Sequence, residues 1–158
     1  MALKIRRVVT GHDANGKAVI LKDSDAPNVI SQRPKQARAL LWATDTLPAL
    51  NDGDEDMGDL DVGLGFKGGS VFGIVKWEPG STPRMHRTLT LDYGVILQGS
   101  VVLQLDDGVE VELKAGDTFV QRGTVHAWDN RGTVDCICAV AMVDAKPVKV
   151  GKRRLDIV

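Results

Sequence analysis

Cysteine is scarce in this 158-residue chain: Cys136 and Cys138 are its whole supply, too few for a disulfide framework. Two residues apart in an apolar run, they fall on one face of a strand with alpha carbons roughly 6–7 Å apart, the upper limit for a bridge. They read as buried, reduced thiols acting as small hydrophobes, which argues for a reducing compartment. An excess of charge of either sign is missing too. The formal net charge is −1, which leaves no basic field for nucleic acid or an anionic membrane surface. No segment approaches the roughly 20 apolar residues of a membrane span. The opening stretch Met-Ala-Leu-Lys-Ile-Arg-Arg lacks the apolar run of a secretory signal, so the expected location is cytoplasmic. Helical periodicity is absent beyond a turn or two.

What is there is strand after strand, punctuated by 17 glycines. Ile5 to Val9 and Ala18 to Leu21 flank Asp13-Ala-Asn-Gly16, a hairpin signal. Ala39 to Ala43 is a third apolar run. The stretch 45–67 carries Asp52, Asp54, Glu55, Asp56, Asp59 and Asp61 without the spacing of a calcium loop, and reads as a solvated acidic loop. Beyond it, Val71 to Trp77 and Tyr93 to Gln98 read as strands. Val101, Leu103 and Leu105 alternate with Val102 and Gln104 up to Asp106-Asp-Gly108, and Val109, Val111 and Leu113 alternate with Glu110, Glu112 and Lys114 after it. That is an antiparallel hairpin with an inside and an outside. Thr118 to Gln121 follows, and Val134 to Val143, apolar on both faces, reads as a strand covered on both. The basic tail Lys149 to Arg154 reads as a solvated terminus. The expectation is an all-β sandwich or closed barrel, one domain over 1–158, with extra N-terminal strands packing on the barrel or on a partner.

The chain has three histidines, His12, His86 and His126. His86 sits between Gly80 and Gly99 with Asp92 downstream, and His126 follows Gly123 and precedes Asn130. This layout resembles the cupin superfamily. Gly80, His86, Asp92 and Gly99 fall in register with its first motif, and Gly123, His126 and Asn130 with its second, over about Val71 to Val143. The resemblance implies a double-stranded β-helix, or jelly-roll barrel, with a small-molecule site at its middle and a homodimer as the usual assembly. Two positions depart from the family's metal-binding pattern. Thr88 stands where the family has a second histidine ligand, and Asp92 where it has glutamate. Gln121-Arg122 also replaces the motif proline. A four-ligand site is thereby excluded.

Three readings of the site follow. His86, His126 and Asp92 form a three-ligand face for one divalent metal (iron, manganese, nickel or zinc). Or no metal binds, and His86 and His126 act as general acid and base, with Asp92 fixing a ring tautomer and Thr88 hydrogen-bonding substrate or imidazole. Or the histidines are satisfied barrel residues in a protein that binds a ligand without chemistry. Six residues separate His86 from Asp92, about 20 Å along a straight strand, so they meet only if the chain reverses between them. Trp128 shares a strand face with His126 and is expected to wall the pocket. Gln121 is expected to point into the barrel, and Arg84 and Arg87 to pair a substrate carboxylate or to sit on the rim. Trp42 and Tyr93 are further pocket candidates. His12 reads as a turn residue, or as one reaching a neighbouring subunit's site mouth. Met85-His-Arg-Thr88 with Leu91-Asp-Tyr93 looks like a subgroup whose fungal members accompany polyketide pathways. That likeness implies a lyase, decarboxylase- or dehydratase-like, on an aromatic or carboxylate substrate. The alternatives are a mononuclear non-haem iron oxygenase of dioxygenase type and a non-catalytic binding protein.

Overall fold

A computed structural model describes residues 3–53, 55–60, 67–155 and 157. The strands are β1 (Arg6–His12), β2 (Ala18–Asp25), β3 (Asn28–Arg33), β4 (Gln36–Thr44), β5 (Ser70–Trp77), β6 (Thr90–Gln98) and β7 (Ser100–Gln104). After a 3-10 turn at Asp106–Gly108 come β8 (Glu110–Lys114), β9 (Thr118–Arg122), β10 (Ala127–Asp129), β11 (Cys136–Asp144), β12 (Lys149–Val150) and β13 (Arg153–Arg154).

A six-stranded sheet in the order β3-β4-β5-β11-β6-β9 faces a three-stranded sheet in the order β10-β7-β8. Trp77, Ile96, Cys136, Cys138 and Val140 of the larger sheet pack there against Val101, Leu103 and Leu113 of the smaller. Both thiols are free, and burial pushes Cys136 up to about 11 and Cys138 up to about 12. They are filler for the core, as expected of buried cysteine.

Local chemistry explains the turns. Asp107 and Gly108 take φ of 57° and 74°, the left-handed pair that a tight hairpin demands and that Asp-Gly supplies. The expected alternation in β8 is only partly met. Leu113 is buried, whereas Val109, just before β8, and Val111 are exposed; β8 is the outer strand of the smaller sheet. The apolar strand β11 is central, between β5 and β6. Its inner face carries Cys136, Cys138 and Val140. Its outer face, Ile137 and Ala139, lies under Leu3, Ile5 and Ala26 of the N-terminal segment.

The first seventy residues divide. Strands β3 and β4 extend the six-stranded sheet, while β1 and β2 pair only with each other. Arg7 reaches inward from β1, donating from Nη1 to the Leu41 carbonyl at 3.0 Å and to Asp56 Oδ1 at 2.7 Å. A buried arginine needs this pairing. Asp56 is therefore tied to Arg7 rather than solvated, an exception to the reading of 45–67 as a solvated loop, in which Asp52, Glu55 and Asp59 are exposed. Asp54 and Asp61 of that stretch lie outside the described residues.

Candidate functional site

The site starts from a main-chain contact. The His86 N–H donates to the His126 carbonyl and the His126 N–H to the His86 carbonyl, each at 2.9 Å, a single antiparallel bridge outside the named strands. Residues paired in this way project their side chains to the same side. The two imidazoles accordingly lie with ring centroids 4.3 Å apart.

Each ring is then fixed in one tautomer. His86 Nδ1 lies 2.9 Å from the Arg84 carbonyl, and His126 Nδ1 lies 3.1 Å from the Thr124 carbonyl. A carbonyl only accepts, so Nδ1 carries a proton in both rings, and a ring in its neutral form holds a bare lone pair at Nε2. Both Nε2 atoms are left to the cavity that the rings line. His126 is 3% exposed. Burial lowers its pKa to about 4, the Thr124 hydrogen bond working against that and the His86 charge with it. It is therefore neutral at pH 7.

Asp92 stands on the buried face of β6 and also lines the cavity. Its Oδ1 is buried without a hydrogen-bond partner. Burial raises its pKa, with the Thr90 hydroxyl and His86 tempering the shift, which favours the proton-bearing form. The Thr90 hydroxyl donates to Thr88 Oγ1 at 2.8 Å, and Thr88 lies on the cavity wall. The chain leaves the histidine bridge, bends at Leu89 and enters β6 at Thr90.

The cavity holds about 380 Å³. One wall is aromatic: Trp128 lies 5.3 Å from Trp77, 4.8 Å from Phe119, and edge-on to His126 at 5.6 Å between ring centroids. Arg84 and Arg87 line the cavity as the sequence led us to expect, and Arg33 and Arg38 join them. Those two come from the β3–β4 hairpin, far upstream of both histidine segments. The only sequence signal for them was an arginine on each side of the Pro34-Lys35 turn.

Two expected pocket residues lie elsewhere, and a third, Gln121, faces inward without lining the cavity. Tyr93 is 49% exposed. It follows Asp92 on one strand, and neighbours on a strand face opposite ways. Trp42 pairs in register with the exposed Phe72, on the outer face of the larger sheet. Gln121 is buried opposite Asp92, but its amide donates to the Thr124 hydroxyl and carbonyl, so it braces the loop before His126. His12 is exposed at the end of β1, away from the cavity.

Two imidazoles with Nδ1 spent on carbonyls and Nε2 bare meet part of what a metal centre requires. A third donor does not join them. Among the described residues no three His, Cys, Asp or Glu side chains come together as a set able to hold an ion. His86, His126 and Asp92 all line the same cavity, without being gathered as a ligand set among the described residues.

The comparisons bear on fold and lineage. The Cupin domain family matches residues 73–143. The cupin-domain-containing oxidoreductase fogC of Aspergillus ruber is 31% identical over 97% of this chain and 79% of its own length. Phomopsin biosynthesis cluster protein C' of Diaporthe leptostromiformis is 36% identical over 94% of this chain and 83% of its own. Among solved structures, a conserved protein with a double-stranded β-helix domain from Klebsiella pneumoniae aligns with a TM-score of 0.53 at 18% identity, over 74% of this chain and 84% of its own. The two facing sheets described above are that double-stranded β-helix.

Proposed function

The chain belongs to the cupin family, and on that footing we propose that it is a small-molecule enzyme of lyase type working by proton transfer at His86, His126 and Asp92. The observation that carries the reading is the histidine bridge, with both Nδ1 atoms committed to carbonyls and both Nε2 atoms left as acceptors in one cavity. His86, half-exposed, exchanges protons with solvent and serves as the base. His126, buried and neutral, accepts a hydrogen bond from a substrate hydroxyl and orients it. Asp92, buried on the wall of the same cavity with an unpartnered Oδ1, is placed to supply the proton for the departing group. The aromatic wall of Trp77, Phe119 and Trp128 takes the apolar body of the substrate.

The test is turnover of a panel of aromatic hydroxy acids, scored by mass spectrometry for loss of water or of carbon dioxide. A positioned acid or base contributes about 10²–10⁴-fold, so His86→Ala is expected to lower the rate by about that much. Full activity in both His86→Ala and His126→Ala sinks the assignment.

A second reading is favoured by one observation, the name oxidoreductase carried by relatives such as fogC. It predicts near-stoichiometric iron in protein purified without a metal-affinity tag, and substrate-dependent oxygen uptake. Lyase turnover at full rate in metal-stripped protein would set it aside.

A further inference from the structure

The cavity has a strongly one-sided charge. Arg33, Arg38, Arg84 and Arg87 line it, and among the described lining residues Asp92 is the only acidic side chain. These arginines come from two separate parts of the chain, the β3–β4 hairpin and the stretch around the His86 bridge. Arg38 and Arg87 engage other groups. Arg33 and Arg84 take part in no ion pair among the described residues. Arg33 is half-buried and Arg84 exposed, which places them toward the open side of a cavity whose interior is aromatic.

A guanidinium presents parallel N–H donors matched to a carboxylate. We propose that the site takes a β-hydroxy carboxylic acid bearing a one-ring or fused-ring aromatic group, whose carboxylate is held by Arg33 and Arg84 and survives the reaction. Its size follows from the 380 Å³ cavity, near the lower end of the range for small-molecule pockets. The chemistry assigned to it rests on the acid–base reading above; the binding does not.

The carboxylate is a handle and not a leaving group because of how its charge would move. Decarboxylation drains negative charge from the carboxylate, so cations bound to it stabilise the ground state more than the transition state. Removing a proton from the adjacent carbon pushes further charge onto the same oxygens, and the same cations then favour the transition state. In the reaction so directed, His86 Nε2 takes the proton from the carbon next to the carboxylate. The freed electron pair forms a carbon–carbon double bond as the bond to the β-hydroxyl breaks. The hydroxyl leaves as water with the proton from Asp92. Solvent then carries the proton from His86 back to Asp92, and the product is an unsaturated acid. Atoms and charge balance with no co-reactant.

The experiment is titration of the full-length protein with trans-cinnamate and with cinnamamide, followed by calorimetry and by quenching of tryptophan fluorescence. Wild type, His86→Gln, and the double variant Arg33→Gln/Arg84→Gln are compared, with circular dichroism checking their folds. The expected result is cinnamate binding about tenfold or more tighter than the amide. That preference should vanish in the double arginine variant and persist in His86→Gln. Equal affinity for acid and amide, a preference surviving in the double variant, or no binding of cinnamate by the wild type would each overturn the clamp. Release of carbon dioxide in place of water from 3-hydroxy-3-phenylpropanoate would overturn the handle. If the acid preference holds while the His86→Ala rate test fails, the clamp stands and the lyase chemistry falls.

Discussion

At the scale of single residues, His126 couples the site to stability. An unfolded histidine titrates near 6.5, and burial brings this one down to about 4 in the folded chain. Between those values the unfolded state binds a proton that the native state refuses, so stability is full above about pH 6.5 and falls as the pH drops toward 4. The loss is about 3 kcal/mol. Asp92 has the opposite sign: its raised pKa gives a contribution that is full below the unfolded value and lost as pH rises through the folded one. Denaturant titrations at pH 7, 5 and 4 should show the acid-side loss, and His126→Gln, which cannot titrate, should flatten it. An unchanged slope in that variant would mean that His126 does not hold the proton balance. The same scale shows where strand reasoning stops. Asp92 and Tyr93 were both candidates for one pocket, yet alternation allows only one of two adjacent strand residues inside. The sequence leaves the choice of face open, and packing gave it to Asp92.

At the scale of elements, turn chemistry was the most legible feature. Gly99, between β6 and β7, has φ of 70°, and a Cβ there would lie 2.5 Å from the Asp135 carbonyl oxygen. Gly108, in the β7–β8 turn, has φ of 74° but nothing within 4 Å of the same position. Alanine is strained at both for conformational reasons, by about 1 kcal/mol. Only Gly99→Ala adds a collision with backbone, so it should cost about 2–4 kcal/mol in all, and melting temperatures of the two variants compared directly would check the difference. Asn130 offers another element-level test. It is fully buried, donates to the carbonyls of Trp77 at 2.7 Å and Val134 at 2.9 Å, and accepts from the Gly132 N–H at 2.9 Å. Asn130→Ala strands those groups and should cost about 2–4 kcal/mol. A drop below 1 kcal/mol in denaturant-derived stability would show that water replaces the side chain. The elements hardest to read were β3 and β10. β10 is only three residues long, too short for alternation to register, and β3 carries Asn28, Ser31 and Arg33 among its apolar residues.

At the scale of the whole molecule, stability is unevenly spread. The β1–β2 hairpin forms a sheet of its own and leaves Val8, Ile20 and Leu21 exposed. A lone two-stranded ribbon is marginal in water. Its hold on the barrel is Arg7 with Asp56 and the packing of Leu3, Ile5 and Ala26. Amide exchange should therefore run fastest in 6–25 and slowest in β5, β6 and β11, which lie side by side in the larger sheet. Equal protection across both regions would show that the hairpin is held by contacts beyond these.

The sequence by itself determined most of the strands, though not β3 or β10, along with the turns and the two histidine segments. These depend on local preferences: alternation with period two, glycine at positive φ, Asp-Gly at a tight reversal. Through its likeness to the cupin motifs it also determined the fold. Only the tertiary structure decided what the site contains. A main-chain bridge between residues forty positions apart brought His86 and His126 into ring contact and fixed both tautomers. The same fold put Asp92 on the wall of their cavity. It also brought Arg33 and Arg38 to the cavity from a hairpin that shares no motif with it. The physical reason is that periodicity specifies which residues share a face, whereas which face meets which partner is set by long-range register and packing.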